Sequence, residues 1–335
     1  MTIQKMTTSL DDKVRALAEG NFTTAAESFA KAGFAVVLPA PGILQIKSPQ
    51  KAPARPKVLL SVGVHGDETA PIELLAQILA AIAIAPHELA TDLMVVVGNP
   101  AAIAKGRRFI DVDMNRLFSS ERGEVQSSSE AQRADAIMSA VEAFFADSAG
   151  AKWHLDLHTT IRPSHYSTFA IIPNTIADTG TPILLGLLGN AGIAAAILNS
   201  APSKTFSAYT ARRFGAISCT VELGQVSKLG HNDLSAFAKM EAALKGLLTP
   251  TRMALRESPP PQIFQVSQEI VKHSENFRLM LQNSTYNFTE VQPGAAIAVD
   301  GDIEYRVGQE IEYIVFPNPD VRVKQRAGLM VVRYA

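Results

Sequence analysis

The sequence predicts an α/β domain on a mostly parallel or mixed sheet, followed by a small all-β domain. Two observations carry that expectation. From residue 57 onward, apolar runs of strand length alternate with runs of helical length, the order of a sheet whose crossovers are helices. At 256–262, "RESPPPQ", three consecutive prolines stop the pattern, because proline lacks an amide proton and cannot continue a helix. The division expected is therefore 1–255, a proline-rich linker over 256–262, and a β domain over 263–335.

The elements follow in order. "DDKVRALAEG" (11–20) reads as a helix, and "GFAVVLP" and "GILQIKS" after it as short strands. "KVLLSVGV" (57–64) is apolar on both alternations, as a strand buried on both faces must be. "APIELLAQILAAIAI" is an apolar helix, "TDLMVVVGNP" a second buried strand, and "AKGRRFIDVDMNR" (104–116) a polar loop. A helix runs through "SEAQRADAIMSAVEAFFADS", and "KWHLDLHTT", "STFAIIP" and "GAISCTVELG" alternate as strands. The long apolar run "TPILLGLLGNAGIAAAIL" (181–198) is broken by glycines and Asn190 and reads as a buried helix, short of the roughly 20 residues of a membrane span. Beyond the linker, "AAIAVDGDIEYRVGQEIEYIVFPNP" and "RAGLMVVRY" are short alternating strands separated by turn residues.

Bulk properties narrow the function. The 335 residues suffice for a large domain plus a small one, and 47% apolar content fills a core. A formal net charge of −1 gives no electrostatic reason to expect a nucleic acid or an anionic membrane as partner. The single cysteine, Cys219, can form neither an internal disulfide nor a thiolate metal site. The start, "MTIQKMTTSLDDK", lacks a secretory pattern, so a soluble cytoplasmic protein is expected.

Four stretches carry chemistry. In "SVGVHGDETAP" (61–71), His65 and Glu68 stand where a buried strand opens to solvent. Imidazole nitrogen and carboxylate oxygen are zinc donors, and a turn that curls back can bring both to one ion. Taken alone, an H-x-x-E pair is more often a surface or capping pair, with Glu68 a first-turn acid of the helix near Pro71. In "WHLDLHTT", strand alternation puts His154, Asp156 and His158 on one face and Leu155 and Leu157 on the other. A third metal ligand with an aspartate orienting a histidine fits this face, and a hydrogen-bonded core role accounts for one of the two histidines. In "GRRFIDVDMNRLF", Arg107, Arg108, Asn115 and Arg116 suit a carboxylate-bearing substrate, since guanidinium forks match carboxylates; alone, the loop reads as a solvated one paired through Asp111 and Asp113. Glu222, in "TVELGQ", is an acid ending an apolar strand, either a general base with a raised pKa or a strand-end charge.

Together and in this order, "GVHGDETAP", "GNP", "RRFIDVDMNRLF", "HLDLHT" and "TVELG" resemble the zinc-carboxypeptidase superfamily, and within it the succinylglutamate desuccinylase/aspartoacylase family. "VELGQVSKLGHND" and the tail "NFTEVQPG…FPNPDVRVKQRAGLMVV" are similar to its desuccinylase branch. The resemblance implies a zinc-carboxypeptidase-like mixed sheet with helices on both faces over 1–255. It implies one Zn2+ per subunit on His65, Glu68 and His158, with His154 a structural neighbour and Asp156 behind a ligand. Glu222 would be the general base and then acid, and Arg108 would polarise the scissile carbonyl. Asn115 and Arg116 would grip a substrate carboxylate, with Arg162, in "TTIRPS", a further substrate-binding candidate. Asp67 departs from the asparagine common in relatives, and little effect is expected because the ligands flank it.

The activity implied is hydrolysis of N-succinylglutamate, a small dicarboxylate amide, to succinate and glutamate, the last step of arginine breakdown by the succinyl route. Rival readings are a deacylase for another N-acyl amino acid such as N-acetylaspartate, a peptide-trimming carboxypeptidase, and a non-catalytic carboxylate-binding protein on the same fold. The first differs only in pocket size and carboxylate placement. A C-terminal domain that narrows the entrance would exclude the second, and a general base at Glu222 has no purpose in the third.

Overall fold

The apolar runs "KVLLSV" and "DLMVVV" form β3 (Lys57–Val62) and β4 (Asp92–Val97), paired parallel in the interior of the sheet. The structure is a computed structural model describing residues 11–48, 54–146, 148–173, 180–249 and 258–334. The strand neighbours of this pair are β2 (Ile43–Lys47), antiparallel on β4, and β5 (Lys152–Thr160), parallel on β3. β1 (Ala35–Ala40) pairs with β2 at the edge. On the other side lie β8 (Ile217–Gln225), β6 (Phe169–Pro173) and β7 (Ala195–Asn199). The β6–β8 pair is antiparallel and makes the sheet mixed.

Helices cover both faces, as the family resemblance implies. Val58, Leu60 and Val62 of β3 point into one apolar cluster with Ile72, Leu75 and Ile78 of the helix Ala70–Ile84. Leu59 of the same strand points into a second cluster with Ile137, Val141 and Phe144 of the helix Ser129–Phe145. Alternate residues of one strand thus feed two cores, which is why these strands read as unbroken apolar runs. Among the described residues, no helix is long and apolar enough to cross a membrane.

Two elements differ from expectation. The run 181–198 is not one helix: it divides into the helix Gly180–Asn190 and β7, with Gly192 between them at φ +73°. The left-handed backbone that glycine tolerates turns the chain there, and the apolar residues beyond it serve a buried strand that hydropathy alone does not distinguish from helix. A helix at Thr23–Lys31 lies where no helix is expected; Phe22, Ala25, Ala26 and Phe29, at helical spacing, turn a short stripe onto the core, and two of the four are alanines that add little apolar signal.

The C-terminal strands are joined to the same sheet. Residues 258–261 of the expected linker are irregular, residues 256–257 lie outside the described residues, and Gln262 already begins β9 (Gln262–Val271). β9 pairs parallel with β7 and antiparallel with β15 (Arg326–Arg333). β14 (Glu312–Val315) and β11 (Thr289–Val291) complete a 12-stranded sheet among the described residues. β10 (Arg278–Leu279), β12 (Ala296–Asp300) and β13 (Ile303–Arg306) form a separate three-stranded sheet. Phe264 and Phe288 pack with Phe169 and Ile197, so the junction has an apolar core of its own.

Candidate active site

The parallel pairing of β3, β5 and β8 brings the functional side chains to one end of the sheet. Beyond β3 the chain turns through 63–69, placing His65 and Glu68 beside the end of β5. Leu155 and Leu157 enter the apolar cluster on one face, while His154, Asp156 and His158 occupy the other, as the alternation predicts. In the β5–β8 register His158 is the direct partner of Glu222.

His65, Glu68 and His158 are buried, and one donor atom from each lies within 4.8 Å of the others. Glu68 is the hub. Its Oε1 is 2.8 Å from His65 Nδ1 and accepts from Arg108 Nη1 at 2.8 Å, while Oε2 is 2.8 Å from His158 Nδ1 and accepts from the Thr159 amide at 3.1 Å. On the far sides of the rings, His158 Nε2 lies 2.9 Å from Asp156 Oδ2, and His65 Nε2 lies 3.0 Å from Asp113 Oδ1. Each outer carboxylate can take the proton on its Nε2, which leaves lone pairs on both Nδ1 atoms, 3.2 Å apart and facing the Glu68 carboxylate. Three acceptors converging this closely repel one another unless a proton or a cation lies among them. Two imidazoles and a carboxylate are a zinc-type donor set, so the residues present fit the metal that the sequence resemblance implies.

Charge follows the same geometry. Burial opposes ionisation of Glu68, but His65 and His158 outweigh it and hold its carboxyl well below the usual range. Burial also opposes a charged His158, and the Asp156 and Glu68 carboxylates override it and raise its pKa well above 6.5. Glu222 goes the other way: burial first, then the charge of Glu68, push its pKa up to about 7. Its Oε2 is buried with no hydrogen-bond partner among the described residues.

His154 belongs to the core. It bonds Ser61 Oγ at 2.8 Å and Thr210 Oγ1 at 2.7 Å, its ring lies edge-on to Phe206, and burial pushes its pKa down to about 4, so it is neutral. Arg108 joins the cluster, its Nη2 3.1 Å from His65 Nε2. Asn115 uses its Oδ1 to accept the Phe206 amide at 2.9 Å, and Arg116 donates to the Asn115 carbonyl and lies 3.7 Å from Asp113. Arg162 points elsewhere, donating to the Asn283 carbonyl and tying the loop after β5 to the C-terminal segment. Arg107 is exposed. Asp67 is half-buried, its Oδ1 has no hydrogen-bond partner among the described residues, and burial raises its pKa.

Two residues that sequence reasoning does not select also belong here. Asp113, read as a partner for loop arginines, orients His65. Arg326, on C-terminal strand β15, lies 3.6 Å from Glu269 and faces the charges of Arg116 and Asp113; burial, followed by the charge of Arg116, pushes its pKa down to about 10. No motif singles out Arg326, because only folding brings β15 to this loop.

The turn bearing His65 and Glu68 is locked to the arginine loop at Gly66. Its amide donates to the Arg108 carbonyl at 3.0 Å, and an added Cβ would sit 2.3 Å from Ala102 C, 2.4 Å from Ile103 N and 2.6 Å from Arg107 O. All three are backbone atoms, two in the helix Pro100–Ala104 and one in the loop after it, so Gly66→Ala must displace that backbone. The expected loss is ~3 kcal/mol of unfolding free energy by urea titration, with a reduced kcat in the fraction that stays folded. Unchanged stability and kcat would show that this backbone moves aside freely.

Two family models match the chain. Residues 54–248 match the succinylglutamate desuccinylase/aspartoacylase catalytic domain, and residues 259–334 match the AstE/AspA barrel-sandwich hybrid domain. The chain is 43% identical over 294 residues to a succinylglutamate desuccinylase of Burkholderia thailandensis, covering 87% of this chain and 84% of that protein. It is 44% identical over 286 residues to that of Burkholderia orbicola, covering 84% and 82%. The crystal structure of succinylglutamate desuccinylase from Vibrio cholerae superposes with a TM-score of 0.82 at 33% identity, covering 90% of this chain and 88% of that one.

Proposed function

The chain belongs to the succinylglutamate desuccinylase/aspartoacylase family, and we propose that it hydrolyses N-succinyl-L-glutamate to succinate and glutamate with one zinc ion per subunit. The observation that carries this reading is the register of β5 on β8, which sets the Glu222 carboxylate, its buried Oε2 without a hydrogen-bond partner among the described residues, beside the His65–Glu68–His158 donor set. His65, Glu68 and His158 would hold the zinc. When bound, the ion lowers the pKa of water and polarises the amide oxygen.

The chain's own residues do the rest. Glu222 takes a proton from the attacking water as the new C–O bond forms, and returns it to the glutamate nitrogen as the C–N bond breaks. Arg108 stabilises negative charge developing on the amide oxygen. The substrate carries three carboxylates, and Arg116, Asn115 and Arg326 supply a cationic region with an amide next to the reacting centre. Arg162 would act at the entrance. No covalent nucleophile is required.

The test measures kcat/KM of the zinc-loaded protein on N-succinylglutamate and N-acetylaspartate, each with a chelator control. A preference of at least about 100-fold for the succinyl compound, abolished by the chelator, is expected. Preference for the acetyl compound would make the chain aspartoacylase-like. Hydrolysis of neither would leave a carboxylate-binding protein on this fold.

A further inference from the structure

Glu130 is a buried carboxylate, 2% exposed, in the first turn of the helix Ser129–Phe145. The ordinary reading makes it a first-turn acid stabilised by the helix dipole. Its contacts go further than that. Oε1 accepts from the Ile110 amide at 2.7 Å and the Asp111 amide at 3.3 Å, and Oε2 accepts from Asp111 at 3.2 Å and Val112 at 3.4 Å. Asn99 Nδ2 donates to Oε1 at 3.2 Å and Ser129 Oγ to Oε2 at 3.1 Å. Among the described residues no cationic side chain pairs with it, so backbone and side-chain dipoles alone hold the charge.

Ile110–Val112 are the middle of the loop that carries Arg108 at one end and Asp113, Asn115 and Arg116 at the other. Asn99, the asparagine of "GNP", also caps the helix Pro100–Ala104 leading into that loop, its Oδ1 accepting the Ala102 amide at 3.1 Å. Arg322 Nη2 holds the Asp111 carbonyl at 2.9 Å from the C-terminal side. The loop is therefore fixed by backbone contacts at its centre while both its ends enter the site.

We propose that Glu130, supported by Asn99, is a positioning residue. By fixing the amides of Ile110–Val112 it sets Arg108 against Glu68 and, independently, Arg116 toward the substrate. This rests on the functional reading above. Glu130→Gln keeps the shape but turns an N–H donor toward amide donors, so the grip is lost on one side.

The expected result is a fall in kcat/KM of about 10- to 100-fold at unchanged zinc content, divided between a lower kcat and a higher KM. In an Arg116→Ala background the KM rise should shrink to under about twofold while the kcat loss persists, because the loop no longer has an arginine to misplace. Hydrogen exchange of the 109–113 amides should speed up whether or not the protein is active. That readout separates failure of this proposal from failure of the functional reading. Equal KM rises in both backgrounds, or wild-type kinetics and unchanged exchange, would overturn it. Should Glu130→Gln not fold, Glu130→Asp, which withdraws the charge by one methylene, is measured and judged by the same outcomes.

Discussion

Glu222→Gln lowers kcat on N-succinylglutamate by about 10³-fold while zinc content and KM stay near wild type. General base and acid catalysis by a positioned side chain contributes roughly 10²- to 10⁴-fold. Glu222 is placed to supply both halves, because it is the carboxylate paired in register with His158 and its Oε2 has no hydrogen-bond partner among the described residues. The amide of glutamine fills the same space without accepting the water's proton. The pH profile gives a second reading. A base works deprotonated, so kcat/KM rises with pH through its pKa, which burial and Glu68 push up to about 7. A cation in the neighbouring cradle favours the carboxylate and moves that acid limb below 7. The limb should vanish in Glu222→Gln, leaving a flat residual rate. Near wild-type kcat in the variant would remove Glu222 from the proton path.

The face of β5 was legible because strand alternation is a strict period of two: His154, Asp156 and His158 share a side in any regular strand, whatever surrounds it. Choosing His158 over His154 as a metal ligand was a different matter. It depends on which histidine stands at the open end of the strand beside Glu68, and the motif resemblance supplied that, not the alternation. Ser61 and Thr210, which hold His154 in the core, give no signal of their own. The same holds for Asp113, Glu130 and Arg326, whose partners His65, Ile110–Val112 with Asn99, and Glu269 lie 48, 18 to 31, and 57 positions away in the chain. Apolar runs mark which segments are buried but not their type: the helix Gly180–Asn190 and β7 are both apolar, and the turn at Gly192 divides them. The proline-rich break marks a change of texture in the sequence, yet pairing of β9 on β7 is a long-range hydrogen-bonding choice that composition does not encode.

Glu68→Gln is expected to abolish zinc binding and, with it, activity. Loss of a group that merely supports a ligand reduces metal affinity 10- to 100-fold, so loss of Glu68 as the proposed direct ligand is expected to exceed about 100-fold. The metal-free protein should suffer as well. Glu68 is the one carboxylate shared by Arg108, His65 and His158, each 2.8 Å away, and the glutamine amide would face these donors with its own N–H groups. Breaking one partner out of a buried charged cluster costs ~3 kcal/mol or more. The sign of the pH dependence follows from the directions of the shifts. The depressed pKa of Glu68 gives stability that is present above its unfolded value near 4.5 and lost as pH falls through the folded one. The raised pKa values of His65 and His158 give stability that is full below 6.5 and lost as pH rises through their folded values. The deficit of the variant is therefore greatest between about pH 5 and 6.5 and narrows in alkali as the imidazoles discharge. Urea titrations of both metal-free proteins at pH 5.5 and pH 9, with zinc affinity measured by competition against a chelator, check both parts. Tight zinc binding by the variant would mean that two histidines suffice, and an equal deficit at both pH values would place the loss in packing and not in charge.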